Sequence, residues 1–539
     1  MICDAHDDCV SQELPPDLKA VRDRLREMLE QGRTDEAVDL LIALLLKMRD
    51  ENQGLTQRVA GLMRQLYGRR SEKVDPNQLA LLLDQLKTPD EAAPPPPVPE
   101  PPKDDTPLPA PKPRPAHPGR KPLPANLPRE RRELTPPASE LECEECGQAK
   151  VRIGEEVSEL LDYTPAQFKV LELVRPKFAC KNPECTTAGV VIAPPADKVI
   201  AKGLPGPGLL AHVLVSKYQD SLPLNRLSGI YSRSGVDIKD STLGDWVTAG
   251  AACLVRVAGE IRRRVLASYV LGLDDTGLSV LDRDAPNGVK KGHLWAHVGD
   301  DRWVVFEYTP TWASDGPKAF LAGRKGFIQG DGYAGYDKIV AERPNELVLA
   351  GCWAHARRKF VVAMESGDTR AAMAVDFIRK LYKVEREASD EGVGPMRLLG
   401  RRQLYSRPLV DQLYSWVAKT YPLATPKSPL GKALTYAVNQ GPTLRVFLED
   451  GQVPIDNNRV ERALRTVAVG RKNYLFAGSD DGARRAAILY TVLGTARLAG
   501  VDPLAYLTDV LDRISLGWPG SRIAELLPDA WAARNRAEA

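Results

Sequence analysis

The sequence has no apolar run of the roughly 18 residues that a membrane-crossing helix needs. Its longest is LLIALLL at 40–46. The first residues, MICDAHDDC, are acidic and lack the basic-then-apolar order of a secretory leader. Cysteine is scarce, eight in 539 residues, which excludes a disulfide scaffold. Net charge is only +3, so any nucleic-acid surface must be local rather than global. These absences leave a soluble, cytoplasmic protein with no membrane partner as the expectation. In a reducing compartment, clustered cysteines point to metal.

What is present is ordinary globular composition, 43% hydrophobic and 27% charged, in a chain long enough for two to four domains. The first region, 1–93, is helical in pattern. From Val38 the positions Val38, Leu41, Leu45, Met48, Asn52, Leu55, Val59, Leu62 and Leu66 alternate steps of three and four. That is a heptad seam with Asn52 at an a position, where a buried polar group sets register and a two-stranded state. Gly54 and Gly61 each weaken such a helix by about 1 kcal/mol. The pattern fits a dimeric coiled coil or an amphipathic helix packed on its own domain.

Residues 94–128 hold 16 prolines in 35 positions, which precludes a packed core. This linker, 94–136, turns basic at Lys112, Arg114, Arg120, Lys121, Arg129, Arg131 and Arg132. It reads as a solvated spacer or as a segment that tracks phosphates. In 137–200, Cys143-x2-Cys146 and Cys180-x4-Cys185 flank a β-rich stretch. Each close pair can offer two thiolates from a tight turn, the pattern of a zinc ribbon with one structural Zn²⁺. Residues 201–262 form a helical lead-in, either a helix–turn–helix or a purely structural unit.

From 263 to 489 the pattern is three strands, helix, strand, helix, strand, helix. Three successive strands predict an antiparallel meander, and the helix-linked ones a parallel portion. That order is the succession of an α/β, ribonuclease-H-like core. Residues 365–450 read as a helical insertion within it, and 490–539 as a C-terminal helical segment. Asp274 follows the apolar VLGL of the first strand, and Asp331 lies between Gly330 and Gly332 after the fourth. Each alone is an ordinary turn aspartate. Brought together, they repel unless a cation neutralises them. Hard oxygen donors suit two Mg²⁺ or Mn²⁺ ions about 4 Å apart, a device for in-line phosphoryl transfer. Asp275 is expected on the opposite strand face.

Glu461 is the third acid, in PIDNNRVERALR at 454–465. Asp456 or Asn457 is placed to cap the helix, and Asn457 and Asn458 share the face of Glu461. Arg462 and Arg465 are placed to meet phosphates, with Arg471 and Lys472 extending the basic surface. The bland alternative is a Glu461–Arg465 pair worth a few tenths of a kcal/mol. In WAHARRKF, Trp353 is a candidate base-stacking group, Arg357, Arg358 and Lys359 are candidate backbone contacts, and His355 reads as a structural hydrogen-bond partner.

Several long stretches resemble one family. DDTG (274–277), QGDGYAGYDKI (329–339), GCWAHARRKF (351–360) and DNNRVERALR…VGRKNYLFAGS (456–479) are similar to transposases of the insertion sequence 66 family. So are RQLYGRRSEK (64–73), GRKPLPANLPRE (119–130), KYQDSLPLNRL (217–227), STLGDWV (241–247) and YTVLGTARLAGVDPLAYLTDVL (490–511), in family order. The resemblance implies a bacterial, nucleoid-associated DDE transposase whose catalytic, metal-holding acids are Asp274, Asp331 and Glu461. It implies DNA partners, a homodimer or higher oligomer, and accessory proteins of the same element. One departure is Asp275, where the family carries glutamate. Two other readings compete: a nuclease of the same fold without strand transfer, and a catalytically inactive DNA-binding regulator. Retention of all three acids argues against the second.

Overall fold

The computed structural model describes residues 16–45, 48–49, 168, 170, 177–179, 190–192, 197–200 and 203–538. The expectations for Cys143, Cys146, Cys180 and Cys185, for the proline-rich linker and for the heptad beyond 49 lie outside these residues. Helix α1 (Pro16–Glu30) is followed by α2 (34–45). Val38, Leu41, Leu45 and Met48 of the heptad are 46–61% exposed. Strands β1 (Lys177–Ala179) and β2 (Val190–Ile192) pair antiparallel as a short ribbon.

The helical lead-in is α3 (Pro207–Tyr218), α4 (Leu224–Arg233) and α5 (Asp240–Leu266). The long α5 buries Leu243, Trp246, Val247, Leu254, Val257, Ile261 and Val265 along one stripe, the 3.6-residue period of a helix laid on a core. The sheet follows: β3 (Val270–Leu281), β4 (Val289–Gly299), β5 (Trp303–Thr309), α6 (Asp315–Phe320), β6 (Gly326–Gln329), α7 (Ala334–Glu342) and β7 (Leu347–Ala350). Strand order is β5-β4-β3-β6-β7. The first three strands form the expected antiparallel meander, and β6 and β7 add parallel. Edge strand β5 is covered by α15 (Asp480–Leu498), where the Thr491 and Thr495 hydroxyls accept from Phe306 N and Val304 N at 2.9 and 3.2 Å. An exposed edge would leave those donors open to another chain. Helix α15 also runs through position 489/490, where the sequence reading ends the catalytic segment.

Between β7 and the return to the sheet the chain is helical. After α8 (Trp353–Glu365) come α9 (Ala371–Asp390), α10 (Pro395–Arg401), α11 (Arg407–Thr420), α12 (Pro429–Asn439) and α13 (Gly441–Arg445). They enclose a core of their own, including Phe360, Val375, Ile378, Leu381, Leu413 and Leu434. The chain then returns to the sheet as α14 (Asn458–Asn473) and finishes with α15, α16 (Pro503–Ser515) and α17 (Pro528–Glu538).

Candidate active site

The apolar run that stops before Asp274 predicts a strand end there. The strand instead continues to Leu281, because hairpin partner β4 pairs with it throughout, Asp274 opposite Ala296. The parallel neighbour β6 stops earlier, at Gly272↔Gln329. Asp274 therefore sits just past the fork where β6 departs. Its face is that of Gly272, where an added Cβ would lie 2.5 Å from Asn457 Oδ1 and 2.6 Å from Val460 Cγ2. Only glycine lets α14 approach β3 this closely. Asp275 points to the other face, as expected, and accepts from His293 Nδ1 at 2.6 Å and Trp312 Nε1 at 3.0 Å.

Asp331 lies two residues past β6. Gly330 is close under Tyr336, 2.8 Å from where a Cβ would be, and Gly332 has φ +91°. Both positions exclude ordinary side chains. The Asp331 carboxylate accepts from Tyr333 N at 3.1 Å, and its carbonyl accepts from Tyr436 OH at 3.0 Å. The latter bond ties the loop to the insertion.

The return of the chain to the core is pinned at several points. Trp353 N donates to Ile455 O at 3.2 Å. Gln329 Nε2, at the end of β6, donates to Pro454 O at 2.7 Å and Gly351 O at 3.1 Å. Asn457 Nδ2 donates to Leu273 O at 2.8 Å. These bonds set α14 across β3 and carry Glu461 to the site. The N-terminus of the helix is served by Asp456, which accepts from Asn458 N at 3.0 Å; the Asn457 side chain makes no cap bond. Glu461 does not pair with Arg465 among the described ion pairs. It meets Arg358 Nη2 at 3.2 Å and His355 Nε2 at 3.5 Å, both from α8.

The electrostatics tie the acids together. The Asp274 carboxyl is pushed up to about 7, first by burial, then by the Asp331 charge, with Asp275 and Glu461 adding to the rise. Burial holds the His355 imidazole below its ordinary value, while Asp331 and Glu461 pull it back up. No three His, Cys, Asp or Glu side chains among the described residues stand close enough to form a ready-made metal shell. The donor chemistry nevertheless fits a hard divalent cation: three carboxylates, one of them half-buried and raised by burial and by its neighbours.

The basic and polar candidates divide. Asn457 is fully buried and engaged with β3, so it is no DNA contact; the tight α14–β3 packing removed it from the surface. Trp353 is 1% exposed and donates to Leu444 O, so it offers no stacking face. Asn458 is half-buried and donates to Asp456. Arg358 is bound to Glu461, and Arg471 donates to Gly277 O. Lys359 is exposed, over the Tyr436 ring at 4.8 Å, and Arg357 is half-buried. Arg462, Arg465 and Lys472 are exposed on α14. Two neighbours of the acids were not assigned to the site from sequence. His355 reads from sequence as a structural hydrogen-bond partner, and Trp312, in the loop after β5, carries no periodic signal.

The core is a mixed five-stranded α/β sheet with helices, with Asp331 just beyond the end of β6, and comparison with known proteins gives its class as transposase. Residues 202–485 match the family described as "Transposase IS66 family", and this chain belongs to that family. Residues 140–182 match the zinc-finger binding domain of transposase IS66, 54–132 the element described as "Transposase C of IS166 homeodomain", and 491–528 the IS66 C-terminal element. The zinc-finger match takes in Cys143, Cys146 and Cys180, and Cys185 lies just beyond it. Relatives from Sinorhizobium fredii (strain NBRC 101917 / NGR234) include the uncharacterized protein y4hP, 34% identical over 88% of both chains. The uncharacterized protein y4qI of the same strain is 33% identical over 96% of this chain and 97% of its own.

Proposed function

We propose that this chain is a DNA transposase with a ribonuclease-H-like core, which cleaves the ends of its insertion sequence and joins the freed 3′-hydroxyls to target DNA. One observation carries the reading: Asp274 is a half-buried carboxyl, pushed up to about 7 by burial and by Asp331, on the face of β3 that packs against the helix of Glu461. The meander followed by two parallel strands, in the order β5-β4-β3-β6-β7, supports the fold assignment.

Asp274, Asp331 and Glu461 would hold two Mg²⁺ or Mn²⁺ ions, which when bound favour ionisation of the attacking oxygen and stabilise the leaving one. In the first reaction a water oxygen bonds to phosphorus and the bond to the 3′ oxygen breaks, leaving a 3′-hydroxyl. In the second, that hydroxyl oxygen bonds to a target phosphorus and displaces the target's 3′ oxygen. Arg358 and His355 hold the Glu461 carboxylate from the adjacent helix. Gln329 and Asn457 fix the position of α14. Arg357, Lys359, Arg462, Arg465 and Lys472 supply positive charge for the phosphate backbone.

Cys143, Cys146, Cys180 and Cys185 hold one structural Zn²⁺ in this reading, supported by the zinc-finger match and by the β1–β2 ribbon, whose strands bracket Cys180 and Cys185 in sequence. Metal analysis should then find one zinc per chain. The exposed seam Val38, Leu41, Leu45 and Met48 supports pairing of two protomers. No helix among the described residues is long and apolar enough to cross a membrane. The site of action is the bacterial nucleoid, with accessory proteins of the same element. The direct test supplies pre-cleaved element ends, Mg²⁺ and a second duplex. Covalently joined product is expected; hydrolysis alone would reduce the protein to a nuclease.

A further inference from the structure

The structure buries the tryptophan that the sequence offered for base stacking and exposes another beside Asp275. Trp312 is 54% exposed, between β5 and α6, yet it is held on several sides. Its indole Nε1 donates to Asp275 Oδ1 at 3.0 Å. The other oxygen of Asp275 accepts from His293 Nδ1 at 2.6 Å; a carboxylate only accepts, so this nitrogen carries the proton. The His293 ring stacks with the indole at 5.9 Å and 20°. On another side the Tyr333 ring lies 4.9 Å away, and Tyr333 OH donates to Trp312 O at 2.8 Å. The loop itself is tied down: Trp295 Nε1 donates to Thr309 Oγ1 at 2.7 Å, and that hydroxyl donates to Thr311 O at 2.7 Å.

Both anchors of Trp312 are next to candidate catalytic acids. Asp275 follows Asp274 in β3 with its carboxylate on the opposite sheet face, and Tyr333 N donates to the Asp331 carboxylate. A wide, apolar π-surface that is exposed but immobilised loses little entropy when a flat ligand settles on it. The flat group that accompanies a phosphodiester is a nucleobase. Stacking on an aromatic face requires that base to be out of its duplex stack, and it is tolerant of base identity.

We propose that Trp312 is a stacking platform for an unpaired nucleobase next to the scissile phosphate, and that Asp275, gripped between Trp312 and His293, is the positioning residue that fixes the ring. The proposal rests on the transposase reading of the acids. It gives Asp275 a task that does not depend on whether it touches a metal.

The test uses the full-length protein and a duplex carrying its own terminal repeat, with 2-aminopurine or an abasic site at each nucleotide flanking the cleaved bond in turn. Trp312→Ala should cut the intact duplex about ten- to a hundredfold more slowly than the native protein, the range expected for one lost base–aromatic stack. Trp312→Phe should keep most of the rate. With the abasic site at the unpaired position, native protein and Trp312→Ala should cut alike, because no base remains to be stacked. Native protein should quench 2-aminopurine there, and Trp312→Ala should not. Asp275→Ala should lose the quenching, and Asp275→Asn, which retains one acceptor oxygen, should recover part of it. Equal cutting of the intact duplex by native protein and Trp312→Ala, or a loss that persists at every abasic position, would overturn the platform. Full quenching by Asp275→Ala would remove Asp275 from it. Asp331→Asn serves as control: if it still cuts, the active-site reading fails; if it is inactive while Trp312→Ala behaves as native, only the stacking proposal falls.

Discussion

Asn457 Nδ2 donates to Leu273 O at 2.8 Å, a bond between residues 184 apart in sequence. It ties the residue just before Asp274 to the residue that opens the helix of Glu461. The glycine one step earlier in β3, Gly272, makes room for it. One buried amide and one missing side chain thus help to set the helix of Glu461 against the strand of Asp274.

Asn457→Ala should leave a buried carbonyl without that donor and destabilise the protein by about 1–3 kcal/mol. Gly272→Ala should force α14 outward, with an overpacking cost of about 1–3 kcal/mol. Urea unfolding measures both. Each should also reduce DNA cleavage beyond what lost stability explains, since Glu461 moves with α14. Native stability and activity in both variants would contradict this role.

His297 makes acid stability depend on one side chain. It is fully buried in β4, with its ring 3.7 Å from that of Phe320, and neither ring nitrogen has a hydrogen-bond partner among the described residues. Burial, aided by the Arg262 charge, lowers it from 6.5 to about 3. Its folded value is depressed, so the unfolded chain takes up the proton first as pH falls. Its contribution is complete above pH 6.5 and is lost between there and about 3, at up to about 1.4 kcal/mol per pH unit. Chemical unfolding across that window should show a shallower slope for His297→Leu than for the native protein. Parallel slopes would contradict it.

The heptad predicts oligomeric state. Leu45 is 60% exposed on the seam, and Leu45→Glu puts a charge where two helices would meet. Sedimentation should show a dimer or larger for the native chain and a smaller species for the variant. An unchanged monomer in both would reject the coiled coil.

The sheet was legible in the sequence because each strand contains a short apolar run, and two of those runs are followed closely by an acid. The helical insertion was legible from its periodicity. Partner choice was not. Glu461 pairs with Arg358, 103 residues away, rather than with the neighbouring Arg465, and nothing local to α14 signals that. Asn457 and Trp353 looked like surface groups because their motif is polar and basic, yet each lies where two elements close together. Asp274 looked like a strand end because its apolar run stops there, but β4 holds the backbone straight beyond it. Trp312 had no pattern to betray it, since a loop aromatic acquires meaning only from the residues that fold around it.

The central claim is that Asp274, Asp331 and Glu461 form one active site. The most direct measurement is Mg²⁺-dependent cleavage of a terminal-repeat duplex by Asp274→Asn, Asp331→Asn and Glu461→Gln, with end binding measured in parallel. Each variant should lose cleavage while binding the element end as the native protein does. Cleavage at the native rate by any one of the three would contradict the site.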